Sequence, residues 1–320
     1  MLRHILILGL SVAPVLPAQS PVDPSALPFK LRATADLVLL DVSVKDAAGA
    51  RISNLTKDNF RVYEDGKLQQ ITQFESEDVP VTVGLVIDTS GSMRPKYNHV
   101  VTAALLFIRS SNPLDEVFVV NFGDRVNSGL PIGVPFSSDL NQLHAALSLA
   151  VPAGRTALND AILFALDHLE KGRRERKALM LVSDGGDNSS SYSSEDVTAM
   201  VRQSRATIYT IGVFDADDAD RNPALLRRLA LVSGGESFFP KLLPELAGIC
   251  GQIASDIRTR YTIGYVPVRS GKPGSLRKIN VTASTPGGHK LAVHTRTGYV
   301  LPRERSLADR GGETERKQDL

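Results

Sequence analysis

The sequence predicts an α/β protein with a doubly wound, mostly parallel sheet, inserted between N- and C-terminal β segments that pair into a small β-sandwich. Three observations predict it. From residue 82 onward, short apolar runs alternate with helical apolar stripes, as βα units require. On either side of that stretch the pattern is of short strands and turns alone. Lastly, polar turns rich in Asp, Ser and Gly follow two of the apolar runs, where open α/β sheets place their ligands.

Taken in chain order, the first segment is Met1-Leu2-Arg3-His4, short and basic, then an apolar run Ile5 to Val15 and Leu16-Pro17-Ala18. This is a secretory signal pattern over residues 1–18. The apolar run is too short for a membrane span. Gln19 stands where a bacterial lipid anchor needs a cysteine. No other segment is apolar enough to span a bilayer, so the expected location is secreted or periplasmic. Residues 19–28 form a Pro-rich linker. Residues 29–80 form the N-terminal β segment. Leu39, Val42 and Val44 show mixed alternation, Asp46 to Gly49 is a turn, and Phe60, Val62 and Tyr63 precede the hairpin signal Glu64-Asp65-Gly66.

The central domain spans residues 81–258. Strands are expected at 83–88, 116–122, 178–183, 207–213 and near 236–239, with a hairpin-like piece at 129–136. Helices are expected at 96–110, 139–150, 157–170, 195–205, 222–232 and 242–258, with Pro95 suited to a first helical turn. The C-terminal β segment, 259–302, contains strands near Tyr261–Tyr265, Lys278–Val281 and Lys290–His294, with turns at 271–274 and 286–288. The charged residues 303–320 lack apolar periodicity and read as a disordered tail.

Composition bounds the class. The chain has 320 residues, enough for two or three units, with 42% apolar and 22% charged residues. The net charge of +2 offers no global case for nucleic acid or a membrane surface. Cys250 is the only cysteine, so no internal disulfide forms. It lies in the stripe Leu242, Leu246, Ile249, Ile253, Ile257 and reads as a buried structural thiol.

Chemistry concentrates in three turns. Asp88-Thr89-Ser90-Gly91-Ser92 ends the run Val83 to Ile87, Gly154-Arg155-Thr156 precedes a helix, and Ser183-Asp184-Gly185 follows another strand. Three hydroxyls and two carboxylates are hard oxygen donors suited to Mg²⁺ or Mn²⁺ held partly through water, ahead of Ca²⁺. The set Asp88-x-Ser90-x-Ser92, Thr156 and Asp184 resembles the metal-ion-dependent adhesion site of the von Willebrand factor A (VWA) domain family. The flanks Thr156 to Ala161 and Ser183 to Asn188 resemble the family's second and third metal loops. Arg155 is bulkier than the family pattern leads one to expect and bears on ligand choice. The arrangement of flanking β segments resembles secreted bacterial members.

The resemblance implies direct coordination by Ser90, Ser92 and Thr156, with Asp88 and Asp184 acting mostly through water. It further implies a protein or peptide partner that presents an exposed Asp or Glu, and a coupling between the helix at 242–258 and metal affinity. The loop Asp215 to Asp220 lacks the Gly and the final Glu of a calcium loop, with Leu226 in the latter's place. It reads as a solvated acidic loop that, with Asp187, makes the rim acidic and favours basic surroundings on the partner. Arg173-Arg174-Glu175-Arg176-Lys177 reads as a solvated turn.

The six histidines form no metal-spaced pair, and neither a nucleophile elbow nor a phosphate loop is present. The chain is therefore expected to be a metal-dependent adhesion-type binding module and not an enzyme. The alternatives are a structural envelope protein whose metal only stabilises the fold, and an accessory subunit of a larger assembly.

Overall fold

The computed structural model describes residues 37–214, 221–267 and 272–301. The expected signal segment 1–18, linker 19–28, acidic loop 215–220, first residue of the turn at 271, and tail 303–320 lie outside the described residues.

The central sheet is built from β5 (Val81–Asp88), β6 (Glu116–Phe122), β7 (Val126–Ser128), β8 (Arg176–Ser183), β9 (Thr207–Gly212) and β10 (Ser237–Phe238). Its order is β10-β9-β8-β5-β6-β7, parallel throughout except for β7, which runs antiparallel to β6. All eight residues of β5 and all seven of β6 are buried, as expected for parallel strands covered on both faces. The helices are α1 (Tyr97–Ser110), α2 (Leu140–Ser148), α3 (Leu158–Glu170), α4 (Ser194–Gln203), α5 (Pro223–Ser233) and α6 (Glu245–Arg258). One group, α1 with α2 and α6, and another, α3 with α4 and α5, pack around the sheet. From β5 the chain passes to β6 on one side and later to β8 on the other. The order therefore reverses at β5, which makes its carboxyl end a topological switch point.

Local chemistry sets the helix ends. Ser193 and Asp196 form a capping box at α4, and Asn222 caps α5 ahead of Pro223. Gly234 ends α5 with φ of 83°, a left-handed position open to glycine. Pro95 is not in the first turn of α1. It lies in the turn before the helix, whose N-cap is Lys96.

The flanking segments supply β1 (Val38–Lys45), β2 (Phe60–Glu64), β3 (Lys67–Gln69), β4 (Ile71–Glu75), β11 (Tyr261–Tyr265), β12 (Leu276–Ser284), β13 (Lys290–His294) and β14 (Gly298–Val300). N- and C-terminal strands pair with one another: β1 with β11 and β13, β4 with β11, and β2 with β12. They form one connected sheet, β3-β2-β12-β13-β1-β11-β4, with β14 on β12. The expected pair of facing sheets is thus a single path, because β1 serves both halves. Its first residues, Val38 to Val42, pair with β11, and Ser43 to Lys45 pair with β13. The ends of the path still meet across a core. Phe60 on β2 lies 5.5 Å from Phe74 on β4 and 5.0 Å from Tyr261 on β11, ring centre to ring centre.

The hairpin-like piece expected at 129–136 is not a strand: those residues are turn and irregular, the antiparallel strand β7 comes just before them at Val126–Ser128, and an isolated bridge between Val117 and Ser137 follows them. Cys250 is buried beside Met180, and burial pushes its thiol up to about 12. Leu242, expected in its stripe, is 65% exposed and lies before α6 begins. Among the described residues no helix is long and apolar enough to cross a membrane.

Candidate metal centre

Asp88 is the last residue of β5 and is fully buried. One carboxylate oxygen accepts the Ser90 N–H at 2.8 Å, and the other accepts the Ser183 hydroxyl at 2.7 Å. The first bond closes an Asx turn that throws the chain round from strand to helix. Ser183 ends β8 and also receives the Gly185 N–H at 2.9 Å. Strand ends β5 and β8 are thus tied together by one carboxylate.

The hydroxyls converge on the second carboxylate. Ser90 Oγ and Ser92 Oγ are 3.1 Å apart, and Ser92 Oγ donates to Asp184 Oδ2 at 2.6 Å. Asp184 Oδ1 receives the Gly186 N–H at 3.1 Å. Asp184 is 3% exposed and Ser90 1%. Burial, and next the charge of Asp184, push the Asp88 carboxyl up to about 6, against the pull of its bonds to Ser90 and Ser183.

Thr156 reaches the same rim through its backbone. Gly91, between the two serines, donates its N–H to Gly154 O at 3.1 Å. Thr156 N–H donates to Asn188 Oδ1 at 2.9 Å, and Thr156 O accepts from Asn188 and Ser189 N–H at 3.0 Å each. The structure therefore hydrogen-bonds Ser90, Ser92 and Asp184 directly, joins Asp88 to them through Ser90, and sets Thr156 beside them through Gly154 and Asn188.

Supporting residues carry only a weak signal in the sequence. Asp124 accepts the Arg155 N–H at 2.8 Å and holds the loop before Thr156. Asp160 accepts the N–H groups of Ser191 and Tyr192, and Asp187 accepts those of Asn159 and Ser190. The Asp187 carboxylate is thus committed to backbone donors that join the third loop to α3, which is a positioning role beyond the rim charge expected of it. A run of Asp and Asn in loops is the signal for such turns, but it does not reveal which backbone each side chain will cap.

The donor set fits a hard divalent cation: neutral hydroxyls beside two carboxylates, one of them held close to protonation by burial and by the other. Among the described residues no group of three or more His, Cys, Asp or Glu side chains is placed to hold a metal, so a centre at this rim depends on its hydroxyls. Ser90, Ser92 and Thr156, with Asp88 and Asp184, are the residues that could hold one.

The model of the von Willebrand factor type A domain matches residues 82–248, more than half of the chain. The chain belongs to that family. Among solved structures it is similar to a von Willebrand factor type A protein from Catenulispora acidiphila, at 15% identity and a TM-score of 0.50, over 88% of this chain and 79% of that one. This likeness extends the shared fold across most of the chain. It is also similar to proximal thread matrix protein 1 from the mussel byssus, solved with a zinc-occupied MIDAS motif, at 17% identity and a TM-score of 0.48, over 62% of this chain and 50% of that one. An aerotolerance-related membrane protein from Bacteroides fragilis matches at 15% identity and a TM-score of 0.45, over 55% of this chain and 98% of that one. No curated protein matches the chain significantly.

Proposed function

We propose that the chain is a secreted or periplasmic, metal-dependent protein-binding module and not an enzyme. Ser90, Ser92 and Thr156 hold Mg²⁺ or Mn²⁺ through their hydroxyls, with Asp88 and Asp184 behind them. A cation bound this way supplies an electrophilic centre for the carboxylate of an Asp or Glu on a partner. The observation that carries the reading is the Ser90–Ser92–Asp184 contact at the switch point of the sheet. Family membership supports it, since VWA domains typically mediate contacts between proteins. The N-terminal pattern of residues 1–18 supports export.

A second reading has its own support. The burial of Asp88 beside Asp184 means that a cation here would also stabilise the fold. Calorimetric titration of Mg²⁺ and Mn²⁺ into the full chain tests the site, and Ser92→Ala should abolish the saturable heat. A peptide library bearing single Asp or Glu residues, screened with Mg²⁺ and with chelator, then separates the readings. Capture only with Mg²⁺ supports adhesion. Metal binding that raises the melting temperature without any capture would leave the structural reading.

Gly154 offers a second lever. It has φ of +76°, and a Cβ there would lie 2.0 Å from Asp124 Oδ2. Gly154→Ala should displace the loop that sets Thr156 and weaken cation binding by about 10–100-fold, the usual cost of disturbing groups that support a ligand. Unchanged affinity by the same calorimetry would remove Thr156 from the site.

A further inference from the structure

One flank of the Asp88–Asp184 rim is basic. The loops 89–94, 123–125 and 149–156 are laced together there. Ala153 N–H donates to Thr89 O at 2.9 Å, and Gly91 N–H donates to Gly154 O at 3.1 Å. Thr89 N–H donates to Phe122 O at 2.7 Å, and Ala157 N–H donates to Gly123 O at 2.9 Å, which fastens the turn between β6 and β7 to the other two loops. The charged side chains of these loops are Arg94, Arg125, Arg155 and a single acid, Asp124. All four residues are exposed.

The fork of Arg94 is set against the loop of Thr156, since Nε and Nη2 donate to Pro152 O at 3.2 and 3.1 Å. Arg155 is fixed through its main chain, whose N–H donates to Asp124 Oδ1 at 2.8 Å. Arg125 is fixed in the same way, its carbonyl accepting the Gly123 N–H at 3.1 Å. Among the described residues, the guanidinium groups of Arg125 and Arg155 have neither a hydrogen-bond acceptor nor a carboxylate in ion-pair range. The Asp187 carboxylate does not answer these charges, because it is given over to the N–H groups of Asn159 and Ser190. Leu149 and Val151, in the same loop as Arg155, are 79% and 80% exposed. Arginines beside uncovered apolar side chains are the composition of a binding surface.

We propose that this flank selects the partner of the rim: a peptide segment in which a second carboxylate stands two residues from the one the cation takes, beside an apolar side chain. The proposal rests on the metal-dependent binding reading above and adds a charge pattern to it. A divalent cation offsets Asp88 and Asp184, so the arginines, against Asp124 alone, set the sign that a partner meets on this side. Arg155 follows directly on Gly154 and precedes Thr156, with neighbouring Cα atoms about 3.8 Å apart. In an extended peptide, side chains two residues apart share a face at a spacing of about 6.6 Å, within reach of an arginine next to a ligating threonine. A guanidinium fork matches a carboxylate. The apolar pair favours a peptide over a polyanion that has charge alone.

The test is capture of the full chain on three end-blocked peptides, Leu-Gly-Glu-Gly-Glu, Leu-Gly-Glu-Gly-Gln and Leu-Gly-Glu-Gly-Lys, immobilised at equal density with Mg²⁺ or chelator. With Mg²⁺ in low salt, the peptide with two carboxylates should bind on the order of fivefold tighter than the one ending in Gln. The one ending in Lys should bind weakest, and the differences should shrink in high salt. In the double variant Arg125→Gln and Arg155→Gln, shown to be folded by thermal melts, the preference should fall to within about twofold. Arg155→Glu should reverse it. Equal Mg²⁺-dependent capture of all three peptides by the wild type would leave the binding reading standing and overturn this proposal alone. Full preference retained in the folded double variant would also overturn it, as would equally tight binding of the two-carboxylate peptide in chelator or competition by a short oligothymidylate at equal charge. Absence of Mg²⁺-dependent capture of any of the peptides would bring down the binding reading and the proposal with it.

Discussion

Asp256→Ala is expected to lower the unfolding free energy by about 3–5 kcal/mol, because it strands a buried arginine. Asp256 and Arg260 are 2% and 3% exposed. One Asp256 oxygen accepts from Ser43 and from Arg51 Nε, and the other accepts from Tyr209 and from Arg260 Nε. Arg260 goes on to the carbonyls of Asp41 and Gly234. One carboxylate on α6 therefore joins β9 of the central sheet to β1 of the flanking sheet. A slide of α6 along its axis would have to break this set of bonds. Burial alone would raise the Asp256 carboxyl, but Arg260, followed by Ser43, Tyr209 and Arg51, outweighs it and holds the group well below its ordinary value of 3.8. Since the folded-state value is depressed, the contribution is fully present above about pH 4 and is lost as pH falls below it. Urea melts should show a lower midpoint at unchanged slope for Asp256→Ala, and the wild type should lose this advantage in acid. Asp256→Asn should fall between the two. A loss below about 1 kcal/mol would mean that Arg260 finds other acceptors and that the clamp does not hold the two sheets together.

Much of the α/β frame is legible in the sequence, since the long central strands β5, β6 and β8 are mostly apolar runs and the helices carry amphipathic stripes, whereas the short β7 and β10 have no such run. Asp88 and Asp184 could be placed on one rim because parallel topology sends every such strand end to the same edge. What could not be read is long-range commitment. Arg176 sits in a run of charges, and nothing nearby in sequence shows that Thr262 and Asp41 will bury it. Asp256 looks like one polar position on an amphipathic helix, although its partners lie as far away as Ser43. The strand Gly298–Val300 is too short to have a period, and it forms only because β12 is there to pair with it. The double use of β1 depends on two partners that are both far off in sequence. The same holds for Asp187, whose carboxylate is visible as a charge but acts by holding backbone.

In a chelated solution, the stability of the wild type should fall as pH rises from 5 to 7, and saturating Mg²⁺ should remove that fall. The cause is Asp88, whose carboxyl is raised from 3.8 to about 6 by burial first and by the Asp184 charge second. Between those values the folded chain holds a proton that the unfolded chain has released, so stability declines through the window and the whole contribution is absent above about pH 6. A shift of this size corresponds to about 3 kcal/mol. A cation at the rim replaces the proton, because it favours the ionised carboxylate. Magnesium at a hundred times its dissociation constant should restore about 2.7 kcal/mol at pH 7 and much less at pH 5, where the proton competes. Asp88→Asn separates this group from all others that titrate in the range. It can release no proton, so the part of the slope due to position 88 should vanish with chelator, and added Mg²⁺ should give no stabilisation at any pH. Thermal melts at pH 5, 6 and 7, with and without the cation, read both effects. Equal slopes for the wild type and Asp88→Asn in chelator would show that Asp88 is ionised throughout, and the case for a cation drawn from its burial would fail.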